Sequence, residues 1–164
     1  MNGTQRETLA RMAAAFSLKE LRQTHLEAGA GWPSGDGEPE AEVEQDLNIV
    51  VQTARQPSSP KSEFASIFRF DFAVRSRVDP QAVFVRVKYH VIAVYSMVDG
   101  ADFTDDEIQL YSQTNGMVHV WPYLRAFIQS SCAQLGIPVV TLPPFRIGQT
   151  LDKPWQRQAA SKEM

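Results

Sequence analysis

Cysteine is nearly absent: Cys132 is the one thiol in 164 residues. A lone cysteine closes no internal disulfide, so the fold must hold through its core, and a reducing compartment suits it. A surplus of positive charge is missing too. Sixteen Lys and Arg stand against 19 Asp and Glu, for a net charge of −3, which is not the balance of a nucleic-acid protein. No apolar run reaches the ~18 residues of a membrane span. The opening MNGTQRETLARMAAAF is interrupted by Arg6, Glu7 and Arg11 and lacks the apolar stretch of a secretory leader. The expectation is a cytoplasmic protein, one domain over residues 1–164, with a real core.

Recognisable chemistry is missing as well. The chain has no Gly-rich phosphate loop, no Cys pair, no His-x-x-x-His and no G-x-S-x-G. His25, His90 and His119 are scattered along it, and a metal needs converging ligands. Cys132 falls within an expected helix without a neighbouring base, which fits packing better than nucleophilic attack. No two carboxylates are spaced for acid–base work. No catalytic residue, metal ligand or cofactor is therefore assigned, and a non-enzyme is expected.

Patterned segments are what the chain does have. Residues 4–16 read as a helix, with Thr4 and Glu7 as a capping box and Leu9, Met12, Ala13 and Phe16 on one side. Leu18 to Glu27 shows neither period, and a strand is assigned there partly on the resemblance described below. Residues 29–45 form a loop rich in Gly, Pro and Glu. Its acids Asp36, Glu38, Glu40, Glu42, Glu44 and Asp46 read as a solvated connection or as a patch for basic partners. Strand patterns follow at 46–54, with Leu47, Ile49, Val51 and Thr53 on one face, and at 64–78, with Phe68, Phe70, Phe72 and Val74. A polar loop at 55–63 separates them. The next strand, 83–97, carries Val83, Val85, Val87, Tyr89, Val91, Ala93, Tyr95 and Met97 on one face. The short Asp79-Pro80-Gln81 turn makes the last two strands an antiparallel hairpin. Asp71 should pair across it with Arg86 or Lys88.

Thr104 then caps a short helix, TDDEIQLYSQ. Pro122 suits the first turn of a second helix, Gly136 the turn just past its end, and Pro138 a sharp stop. Leu124, Phe127, Ile128, Ser131 and Leu135 recur at helical spacing between them. Val139 to Phe145, VVTLPPF, is an apolar extended strap, since its two prolines oppose helix and ladder alike. The tail over 148–164 is polar and expected to be loose. Helix and strap together suggest a groove with Tyr95, Met97, Trp121, Tyr123, Phe127, Leu142 and Phe145 as binding residues. Core is the competing reading. It is the stronger one for Phe127 and weighs equally for Trp121 and Phe145.

The run VWPYLRAFIQSSCAQLGIPVVTLPPF resembles the signature of the SecB family of export chaperones. There an apolar segment leads into a Phe-Pro-Tyr-Ala-Arg helix start, a long helix and a Leu-x-Leu-x-Pro strap. Trp121-Pro122-Tyr123-Leu124-Arg125 and Thr141-Leu142-Pro143-Pro144-Phe145 stand in those places. Phe16-Ser17-Leu18 resembles the start of the family's first strand, and the later strands fall in the same order. The resemblance implies an α+β fold: a four-stranded antiparallel sheet with a long helix and a hydrophobic strap on one face. It implies a homotetramer, a dimer of dimers, that holds unfolded polypeptides or preproteins without ATP. Export members dock the translocase motor SecA through acids on the first strand, where His25 and Gly29 stand here. The family's second C-terminal helix has no counterpart in GQTLDKPWQRQAASKEM, and a helix precedes the first strand. These departures favour a SecB-like branch such as chaperones of toxin–antitoxin systems, with an antitoxin as client. Two other readings stand beside it. One is a small-ligand binding or enzymatic α+β domain using the same apolar groove. The other is a structural subunit whose strap only forms an oligomer interface.

Overall fold

A computed structural model describes residues 3–31, 43–55, 62–77, 79 and 81–146. The acids at 36–42, most of the loop at 55–63, Pro80 and the tail at 148–164 lie outside the described residues. Helix α1 spans Gly3–Ala15, and strands β1 to β4 span Phe16–Ala30, Val43–Ala54, Glu63–Ser76 and Val83–Met97. Helix α2, Asp105–Tyr111, passes through a π turn, Ser112–Gly116, into helix α3, Met117–Gln134. The strands form one sheet in the order β1-β4-β3-β2, and every pairing is antiparallel.

The hairpin β3–β4 is the centre of the sheet and shows the alternation expected of it. Phe64, Phe68, Phe70, Phe72 and Val74 are buried on the inner face beside Val85, Val87, Tyr89, Val91, Ala93, Tyr95 and Met97. Its turn is closed from both sides. The Ser76 amide donates to the Ala82 carbonyl at 3.0 Å, and the Gln81 amide to Asp79 Oδ1 at 3.0 Å, the local bond that makes aspartate a turn residue. On the outer face Asp71 accepts from Arg86 Nε at 3.1 Å and Nη2 at 2.6 Å. Lys88, directly opposite Asp71, instead reaches Glu27 on β1 at 3.1 Å.

β1 shows why its sequence hid it. Its ladder with β4 shifts register between Leu18 and Glu20 and again between Gln23 and His25. Each inserted residue moves the following side chains to the opposite face, so no single period runs through the strand.

The helices depart from expectation at their starts. α1 begins at Gly3, so Thr4 lies inside its first turn and is not its cap. Leu9 and Met12 are buried, Ala13 is exposed, and Phe16 belongs to β1. α2 has the expected box: the Glu107 amide donates to Thr104 Oγ1 at 3.2 Å, and the Thr104 amide to Glu107 Oε2 at 2.9 Å. The larger correction concerns Pro122, which lies inside α3 and does not open it. Trp121 is likewise on the helix and not ahead of it. A proline in a helix interior costs about 3 kcal/mol. Starting the helix earlier buries Met117, Val120 and Trp121, each large apolar side chain contributing about 1.5–3 kcal/mol, which outweighs that cost. The buried stripe continues through Leu124, Ile128, Ser131 and Cys132. Leu135, expected on that stripe, is 37% exposed.

The other end of α3 follows the sequence closely. Gly136 has φ 68°, its amide donates to the Ala133 carbonyl at 3.2 Å, and the Ile137 amide to the Cys132 carbonyl at 3.1 Å. This pair of bonds is the Schellman closure. It turns the chain back, and the extended strap packs Ile137, Val140, Leu142 and Phe145 against the core.

Candidate binding surface

The strap is fastened to α3 at several levels. Gln129 Nε2 donates to Thr141 Oγ1 at 3.1 Å, and Trp121 Nε1 donates to the Pro143 carbonyl at 2.8 Å. Proline carbonyls in an extended run have no ladder partner, and the indole supplies one. The Trp121 and Phe145 rings lie 5.5 Å apart at 48°. Strap and helix therefore run side by side, as two walls joined at Gly136.

The seven binding residues read from the sequence separate into groups. Trp121 and Leu142 are buried between helix and strap, and Phe145 beside them is half-buried. Tyr95 and Met97 lie within the sheet's buried face. Tyr95 stacks on Phe64 at 5.0 Å, and its hydroxyl meets His119 Nδ1 at 3.0 Å. Burial pushes the Tyr95 hydroxyl's pKa up and the His119 imidazole's down, so both stay neutral near pH 7. On the other flank of α3, Tyr123 is 55% exposed and Phe127, half-buried, stacks on Tyr89 at 5.4 Å.

That second flank faces a row that sequence reasoning missed. Leu18 pairs with Tyr95, Leu21 with Ala93 and Leu26 with Tyr89, and directly paired residues of antiparallel strands share a face. The three leucines therefore lie on the inner face of the sheet, the face that α3 covers. Yet Leu18 is 38% and Leu26 46% exposed. The helix shields β4, while β1, an edge strand of the sheet, is left open beside it. Leu26, Tyr89, Phe127 and Tyr123 thus border an apolar trough between an edge strand and a helix. The bulges that hid β1 hid this row too, because its leucines fall at spacings of three and five.

Nothing at the trough resembles a reaction centre. Its chemistry is apolar, and among the described residues no group of three or more His, Cys, Asp or Glu side chains could hold a metal. Cys132 is buried within α3. No helix among the described residues is long and apolar enough to cross a membrane.

No family model matches the chain. An uncharacterized protein of Methanocaldococcus jannaschii is 23% identical over 110 residues, covering 66% of this chain and 68% of that one. Among solved structures, a SecB-like chaperone of Mycobacterium tuberculosis in complex with a ChAD peptide from the HigA1 antitoxin superposes with a TM-score of 0.73. It is 18% identical, and the match covers 85% of this chain and 97% of that one. The four-stranded antiparallel sheet, the long C-terminal helix and the order of the elements give this chain the α+β fold of a SecB-like chaperone.

Proposed function

We propose that the chain is an ATP-independent chaperone, a holdase that binds unfolded polypeptide along the trough beside α3. The observation that carries this reading is the exposed leucine row of β1 on the sheet face that the helix covers. An apolar surface flanked by a free strand edge offers an extended client backbone bonds and alternating side-chain sites at once. Holding the unfolded state withdraws it from aggregation by mass action. Of the seven residues read from the sequence, Tyr123 and Phe127 are the contacts that flank the trough. Trp121, Leu142 and Phe145 fasten the strap on the opposite flank of α3, and Tyr95 and Met97 lie in the buried sheet face. The shared fold with a chaperone bound to an antitoxin peptide favours a dedicated antitoxin client over general export. His25 and Gly29, which stand where acids would dock SecA, favour the same choice. The working form is a cytoplasmic homotetramer needing no cofactor.

The test uses the full chain and a chemically unfolded reporter diluted into buffer without nucleotide. The wild type suppresses the reporter's aggregation, and light scattering gives the mass of four chains. The double variant Leu18→Glu/Leu26→Glu keeps its melting temperature and mass and binds reporter about tenfold more weakly, the equivalent of ~1.4 kcal/mol. A wild type that leaves aggregation unchanged sinks the reading. A folded double variant that binds as before moves the surface elsewhere, and a monomeric mass removes the tetramer.

A further inference from the structure

On the outer face of the sheet, remote from the trough, two imidazoles stand opposite one another. The second bulge of β1 puts them there. Gln23 pairs with Val91, so an unbroken register would set Thr24 against His90. The inserted residue sets His25 there instead, and Thr24 Oγ1 turns to the His90 carbonyl at 3.5 Å. The His25 and His90 ring centroids lie 4.8 Å apart at 34°. Glu27, two residues further on the same face, brings Oε2 to 3.4 Å from His25 Nε2. Bulges gather at sheet edges and next to functional sites, where they re-aim a side chain, and here one brings the two imidazoles together.

We propose that His25 and His90 chelate a late first-row divalent ion, of the class of zinc, nickel or copper, across the β1–β4 ladder. Imidazole nitrogen suits these ions, and with Zn–N bonds of about 2.0–2.1 Å two rings at this separation reach one ion after small torsional adjustments. Two imidazoles form an incomplete set, so water fills the remaining positions, while both Glu27 oxygens stay with Lys88. A ligating imidazole binds in its neutral form. The nearby cations have partners of their own: Lys88 bonds Glu27, Arg86 bonds Asp71 and Arg69 bonds Gln52. A bound ion would clamp the edge strand to the sheet interior, and its affinity would fall as acid protonates the rings.

Thermal unfolding of the untagged full chain in chelator, and then with excess Ni²⁺ or Zn²⁺, tests this. A hundredfold excess over Kd raises the melting temperature by about 5 °C or more. His25→Ala and His90→Ala each abolish the rise, and His119→Ala keeps it. Cu²⁺ electron spin resonance of the wild type shows two coordinating nitrogens, reduced to one in each single variant. A rise that survives either substitution, no rise in the wild type, or loss of the rise in His119→Ala would overturn the site.

Discussion

Among single residues, Trp121 shows best how far chemistry was legible and where burial had to be seen. Its type and its place beside Pro122 marked it as a groove or core aromatic with equal weight. The structure leaves it 2% exposed, with its indole N–H on the Pro143 carbonyl and its ring beside Phe145. Trp121→Ala should therefore cost about 3–5 kcal/mol, as for other buried aromatics. Trp121→Phe keeps most of the packing and removes the bond to the strap, for about 0.5–1.5 kcal/mol. Denaturant unfolding of both variants decides it, and a Trp121→Ala protein as stable as wild type would place the indole in solvent. Asp71 was fully legible, since a lone acid on an alternating strand needs a cation across the hairpin. Which cation was not, because Lys88 is drawn off by Glu27 on a strand the sequence hid.

Among elements, legibility followed periodicity. β2, β3 and β4 alternate over most of their length, with an irregularity of the β3–β4 ladder only near its turn, between Val74 and Arg75, and were read nearly to their ends. β1 contains two bulges, and its inner leucines are invisible to any fixed period. α3 was found but started late, because a proline preference of a few kcal/mol was weighed without the burial upstream of it. Its C-terminus was found at Gly136, because a left-handed residue there has one cheap solution. Gly136→Ala forces a side chain into φ 68°, at about 1–2 kcal/mol, although nothing lies within 4 Å of the added carbon. Such a variant should melt earlier through backbone strain alone. An unchanged melting temperature would show that the turn relaxes. Because this turn launches the strap, reporter binding measured on the same variant reads how strap position affects the trough.

At the scale of the whole molecule, the fold was legible from the order of the elements and the helix–strap signature, while the trough was not. It arises only when an edge strand and a helix lie side by side, and no local pattern encodes that. The order β1-β4-β3-β2 also fixes a timetable. Ladder partners Arg75 and Val83 meet across a short turn, but Phe16 must wait for Met97. Long closures are slow to form, so refolding should protect the amides of β3 and β4 first and those of β1 last. Pulsed hydrogen exchange during refolding reads this directly, and β1 amides protected in the first phase would refute it. During synthesis at about 5–20 residues per second, roughly 3–13 s separate the end of β1 from the end of β4. Through that interval the leucines of β1 are themselves an unsheltered apolar segment, waiting for the strand that completes their ladder.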